Sequence, residues 1–162
     1  MSIRQLMAEA GYVDHDLFYD ELGKPHLQNG SNISITHSFN FTAIILSDRK
    51  VGIDIEKRRD KILKIANKFT PLSEYHTVAN EEALIRKLTI VWGAKESIYK
   101  MYAEPGLGFL QHINVTDFDF DDAETTAKVN FKGRESFYEM KFLEFEGFTC
   151  VYGWDDPKKA QN

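Results

Sequence analysis

An α+β domain, with antiparallel strands packed on one long helix, is the fold class this sequence predicts. Three observations carry that reading. Apolar residues alternate with period two around residues 33–56 and again over 113–154. Between them, from Ile62 to Ala103, the spacing changes to three and four, as on a helix. No Gly/Ser linker or low-complexity tract interrupts the chain.

Taken in order, Ile3, Leu6, Met7 and Ala10 share one face of a short helix over residues 3–10, which Gly11 ends. That apolar stripe needs a cover, so the expectation is a homo-oligomer or a chain whose natural start lies upstream. Leu22-Gly23-Lys24-Pro25 is a turn that presents a lysine. Ile33–Thr36, Thr42–Leu46 and Val51–Glu56 read as three short strands with tight connections, hence an antiparallel meander. Ile62, Ile65, Ala66 and Phe69 have helical spacing, interleaved with Lys61, Lys64 and Lys68. Thr70-Pro71 opens another short helix through Glu74. Asn80-Glu81-Glu82 starts the long helix, a capping amide followed by acids at the positive end of the dipole. It runs to about Ala103, before Pro105-Gly106. Strands follow at Ile113–Phe118, Ala127–Phe131, Phe137–Phe145 and Phe148–Trp154, with turns at Lys132-Gly133-Arg134 and Glu146-Gly147. The polar residues 155–162 read as a flexible tail.

Composition excludes several function classes. The chain has 162 residues, 43% of them hydrophobic and 13% aromatic, ample for one core. Lys plus Arg is 20 and Asp plus Glu is 25, a formal net charge of −5. A general nucleic-acid binder would be basic, so any phosphate site must be a local cluster. The single cysteine, Cys150, rules out an internal disulfide framework and a Cys-based zinc site. No apolar run reaches the roughly eighteen residues of a membrane span, and residues 1–10 carry no signal-peptide core. The expected address is the cytoplasm, with no membrane partner.

Two segments carry chemistry. In Gly52-Ile53-Asp54-Ile55-Glu56, alternation puts Asp54 and Glu56 on one face of a strand while Ile53 and Ile55 enter the core. Two carboxylates about 7 Å apart at Cα repel unless a cation or solvent intervenes. Hard oxygens of this kind suit Mg²⁺, which takes one or two carboxylates and completes its octahedron with water and phosphate. The competing reading is a solvated polar strand end. In Trp92-Gly93-Ala94-Lys95-Glu96-Ser97-Ile98-Tyr99-Lys100, the residues Leu84, Leu88, Trp92, Glu96 and Lys100 form one row along the helix. A carboxylate continuing an apolar row needs a partner: Lys100 one turn on, a metal ion, or both. A common i,i+4 ion pair would be the plain alternative. His37 ends a strand beside Thr36 and Ser38 and could donate to a phosphate, although a lone histidine is more often structural. His15, His26, His76 and His112 show no metal-ligand spacing. Gly106-Leu107-Gly108 lacks the third glycine of a dinucleotide fingerprint and follows a helix. No motif supports a serine or cysteine hydrolase.

Together these segments resemble the 4′-phosphopantetheinyl transferase superfamily, whose signatures are a G-[IV]-D-[IV]-E strand and a W-x-x-K-E-[SA]-x-x-K helix. Gly23-Lys24-Pro25, Asn32 to Ser38 and Ser73-Glu74-Tyr75 are similar to its larger, surfactin-synthetase-activating branch. There the strand reads N-[IL]-S-H-S, whereas here Thr36 precedes His37. The resemblance implies the fold of that superfamily, with residues 51–154 as its C-terminal half and 1–50 as a remnant of an N-terminal pseudo-repeat. It implies transfer of phosphopantetheine from coenzyme A to a serine of an apo acyl or peptidyl carrier protein. Mg²⁺ would be held by Asp54, Glu56 and Glu96, and phosphate oxygens by Lys95 and Lys100. Lys24, His37 and Ser38 would bind the phosphates of coenzyme A, and Glu96 or Glu74 would take the serine proton. Fatty-acid-type carrier proteins are acidic around that serine, so the helix from Lys61 to Phe69, within a run of basic residues over 57–68, is the expected docking face. The competing functions are a truncated relative that binds coenzyme A or carrier protein without turnover, and a Mg²⁺-dependent phosphohydrolase using the same carboxylates.

Overall fold

The computed structural model describes residues 1–75 and 78–159, the side chains of Ser73 and Glu74 excepted. Four helices and nine strands make up the described chain: α1 (Ile3–Glu9), β1 (Leu17–Tyr19), β2 (Pro25–Leu27), β3 (Asn32–Ser38), β4 (Phe41–Ser47), β5 (Val51–Lys57), α2 (Ile62–Phe69), α3 (Glu81–Tyr102), α4 (Phe109–His112), β6 (Ile113–Val115), β7 (Glu124–Phe131), β8 (Arg134–Phe145) and β9 (Phe148–Asp155). This is the α+β class, antiparallel throughout, with α3 lying across a five-stranded sheet ordered β5-β9-β8-β7-β6. Among the described residues no helix is long and apolar enough to cross a membrane.

The long helix begins as its sequence requires. The Asn80 side chain accepts from Ala83 N at 2.8 Å, and Glu81 and Glu82 fill the first turn. Its buried face, including Leu88, Val91, Ala94, Ile98 and Met101, meets Val129, Met140 and Val151 of the sheet. Each such aliphatic side chain contributes about 1.5–3 kcal/mol by leaving water. The helix stops at Ala103, which takes a left-handed φ of 50° just before Pro105.

The expected meander of three strands is not what forms. β3 and β4 make a two-stranded sheet, whereas β5 pairs with β9, Gly52 opposite Gly153 and Asp54 opposite Val151. The reason lies in the outward amides of β5. Ile53 N–H donates to Ser34 Oγ at 3.1 Å and Ile55 N–H to Thr36 Oγ1 at 3.0 Å. Side-chain hydroxyls thus satisfy donors that a neighbouring backbone would otherwise take, and they hold β3 away from main-chain pairing.

A short hairpin of β1 and β2 flanks the Gly23-Lys24 turn, a pairing that the residue pattern did not disclose. The apolar stripe of α1 is covered by the chain itself. Met7 is buried with Leu27 and Ile33, and Ile3, Ile44 and Leu46 pack around them. The stripe therefore makes no demand for a second copy. The short helix expected after Thr70-Pro71 is a 3₁₀ helix over Leu72–Tyr75. Strands β7 and β8 extend further than their patterns suggest, while β6 ends at Val115.

Candidate active site

The site sits where β5 crosses α3. Gly52, Asp54 and Glu56 all face the helix, and the contact is close because both partners are small there. A Cβ on Gly52 would lie 2.0 Å from the Ser97 carbonyl oxygen, and one on Gly93 would lie 2.6 Å from Val151 Cγ2 and 3.7 Å from Asp54 Oδ2. Ser97 donates its hydroxyl to the carbonyls of Gly93 and Val151, at 2.8 and 3.0 Å. The carboxylate face of β5 is therefore not a solvated strand end. Asp54 is only 5% exposed.

Three carboxylates share this enclosure. Burial, followed by the repulsion of Glu56, pushes the Asp54 carboxyl up to about 9, with Lys100 pulling the other way and Glu96 adding repulsion. Burial also raises Glu96, opposed by Lys100 and reinforced by Glu56. Glu56 is oriented by Trp92, whose indole N–H donates to Oε1 at 3.1 Å. The Trp92 ring stands between Phe69 and Phe109, with centroids at 5.0 and 5.3 Å. Lys100 does not form the i,i+4 pair with Glu96. Its Nζ donates to the carbonyls of Ile53 (2.8 Å) and Ile35 (3.2 Å) and approaches Asp54 Oδ1 at 3.5 Å. It bridges β3 and β5 through their backbones.

These donors suit a small hard cation. Asp54 Oδ2 is buried with no hydrogen-bond partner among the described residues, and mutual repulsion leaves the cluster short of positive charge. Among the described residues no three carboxylate, imidazole or thiol groups are arranged as a metal cage. Mg²⁺ does not require one, since water and substrate phosphate supply most of its octahedron.

Two clefts reach residues of this region, one at Lys100 and the other at Glu56. The first, ≈ 440 Å³, is lined by Lys24, His37, Tyr99, Lys100 and the apolar Ile33, Ile35 and Leu22. The second, ≈ 270 Å³, is lined by Glu56, Trp92, Ser38, Phe39, Lys57, Arg59, Lys61 and Ile65. His37 and Ser38 are consecutive on β3, so alternation sends one to each cleft.

The expected site residues are thus divided. Lys24, His37 and Lys100 come together on the first cleft. Lys24 donates to Met101 O at 3.3 Å, and burial, with Lys50 nearby, lowers its ammonium from the ordinary value. His37 Nδ1 lies 3.2 Å from Thr42 Oγ1. Ser38, expected on coenzyme A phosphate, lines the second cleft instead. Lys95, also expected on phosphate, is 1% exposed, and its Nζ donates to the carbonyls of Phe69 and Phe109. It lines neither cleft and ties α2 and α4 to α3. The side chain of Glu74 lies outside the described residues. Of the basic run, Arg58 turns away to Glu144 (2.7 Å), which Arg86 also grips and which these contacts hold below the usual carboxylate range.

Residue patterns alone missed Ser34 and Thr36, although two hydroxyls at i and i+2 on one strand face were a readable signal. They also missed Trp92 as the partner of Glu56, because the indole donor and its acceptor are 36 residues apart.

The fold is antiparallel α+β, with Asp54 buried beside Lys100, which lines the first cleft, and Glu56 on the second. A family profile described as the 4′-phosphopantetheinyl transferase superfamily matches residues 50–153, and the chain belongs to that family. It is 29% identical over 136 residues to the 4′-phosphopantetheinyl transferase gsp of Aneurinibacillus migulanus. That match takes in 81% of this chain and 54% of the relative, so the chain spans about half the relative's length.

Proposed function

We propose that this protein transfers the 4′-phosphopantetheine group of coenzyme A to a serine hydroxyl of an apo acyl or peptidyl carrier protein. The observation that carries this reading is the pair of clefts, one lined by Lys24, His37 and Lys100 for the donor and one lined by Glu56 and Ser38 for the acceptor. In the first cleft Lys24 and His37 would bind phosphates of coenzyme A, and Lys100, which lines the same cleft, would bind its pyrophosphate. The family match and the named relative support the chemistry.

The acceptor serine attacks the β-phosphorus of coenzyme A. Its Oγ–P bond forms as the P–O bond to the leaving adenosine 3′,5′-bisphosphate breaks, and its proton passes to a carboxylate. Glu96 suits that role because burial and Glu56 raise its proton affinity; Glu74 is the other candidate. Asp54, Glu56 and Glu96 would hold Mg²⁺, which supplies positive charge against the developing charge of the pyrophosphate. Trp92 keeps Glu56 turned toward the cluster. The partner docks on the second cleft and on α2, where Lys57, Arg59, Lys61 and Lys64 attract an acidic surface.

Mass spectrometry of an apo carrier protein incubated with coenzyme A and Mg²⁺ tests the proposal. A gain of the phosphopantetheine mass is the expected result. Cleavage of coenzyme A without labelling would turn the assignment to a phosphohydrolase. Binding with neither outcome would make the protein a non-catalytic relative.

A further inference from the structure

The second cleft has an aromatic residue at its rim for which the fold has little use. Phe39 is the first of the two residues turning β3 into β4, between the paired Ser38 and Phe41. Its φ is 51°, a left-handed value that glycine adopts freely and a bulky side chain does not. Two other hairpin turns also place a non-glycine residue at positive φ, Lys132 and Glu146, but each has a flexible side chain and a glycine beside it. Phe39 is aromatic and is followed by Asn40.

The ring is 63% exposed, so burial does not account for it. Its aromatic contact is an edge-to-face one with Phe148, at a centroid distance of 5.9 Å. Two cations stack on it instead, Lys57 Nζ and the Arg59 guanidinium, each 4.7 Å from the ring centroid. The exposed ring and the two charges form one composite surface. Ile65 of α2 continues its apolar part, and Glu56 lines the same cleft.

That surface has a definite complement. The protein is acidic overall, yet residues 57–68 hold six basic side chains against Asp60 alone. A partner drawn there carries acidic groups, and one that rests on Phe39 and Ile65 also offers an apolar side chain between them. We propose that Phe39 is the specificity contact for the apo carrier protein: it receives an apolar side chain beside the acceptor serine while Lys57 and Arg59 meet flanking carboxylates. The inference rests on the transferase reading above and deepens it, naming the residue that selects the acceptor.

Phe39→Gly removes the ring and relaxes the turn, and Phe39→Leu keeps an apolar group without the stacking face. In steady-state transfer with apo acyl carrier protein, Phe39→Gly is expected to raise the carrier KM about tenfold, the scale of an aromatic interface anchor. Phe39→Leu should fall between it and wild type, and the coenzyme A KM should stay as in wild type for both. The melting temperature of Phe39→Gly should be no lower than that of wild type. Calorimetric binding of apo carrier protein without coenzyme A reads the same contact without turnover, and a Kd about tenfold weaker is expected. An unchanged carrier KM, or a Kd equal to wild type, would overturn the Phe39 assignment. A wild-type protein that binds carrier through Phe39 but never labels it would instead sink the transferase reading and leave this contact standing.

Discussion

Replacing Asp54 by asparagine should stabilise the metal-free protein while abolishing its response to Mg²⁺. In the folded state the carboxyl is pushed from an ordinary 3.8 to about 9, first by burial and then by Glu56. Between those two values the folded state holds a proton that the unfolded state has released. Stability therefore falls as pH rises from about 4 towards 9, and below both values the group has no effect. At about 1.4 kcal/mol per unit, holding that proton at pH 7 costs the fold about 4 kcal/mol as an upper limit. Asparagine cannot ionise, keeps the planar shape and can still accept from Lys100. The variant should match wild type near pH 4 and gain on it steadily to pH 8. Urea unfolding at both pH values, in chelator and then in excess Mg²⁺, measures this. Mg²⁺ should raise the wild-type midpoint by mass action and leave Asp54→Asn unmoved. Parallel pH slopes for the two proteins, or an equal Mg²⁺ shift in both, would refute the reasoning. Transfer by the variant should be close to nil.

Three further outcomes are expected. Trp92→Phe keeps a ring between Phe69 and Phe109 but deletes the donor to Glu56. The Mg²⁺ concentration for half-maximal thermal stabilisation should rise about tenfold or more, with coenzyme A affinity unaltered; an unchanged Mg²⁺ midpoint counts against the positioning role. Gly52→Ala drives a methyl to 2.0 Å from the Ser97 carbonyl oxygen, so β5 must separate from α3. The loss should be about 2–3 kcal/mol, or a fall in Tm of roughly 5–10 °C, and a wild-type melting curve would show that the contact can relax. Reversing Lys61 and Lys64 to Glu should raise the carrier KM and weaken its salt dependence without touching the coenzyme A KM. KM values unchanged from wild type for both substrates would remove α2 from the docking face.

What the sequence determined by itself is whatever depends on near neighbours. Period-two alternation set Asp54 and Glu56 on one face of β5, because successive side chains on any strand point oppositely. The 3.6-residue repeat placed Trp92, Glu96 and Lys100 on one row of α3, and Asn80 began that helix through a bond three residues away. Those rules need no knowledge of the rest of the chain, so the α+β class and the central motif residues were legible. Tertiary structure alone decided where these pieces met. Pairing of β5 with β9, nearly a hundred residues on, leaves the outward amides of β5 to Ser34 and Thr36, while Gly52 and Gly93 admit the close approach of α3 to that sheet. Lys95 and Lys100 share a helix and a charge, yet burial commits one to the carbonyls of Phe69 and Phe109 and leaves the other lining the first cleft. A lysine on a sequence declares its charge but not its acceptor. The acceptors here are backbone carbonyls, present in every residue and therefore invisible to any pattern of side chains, until packing selects the few left without another donor.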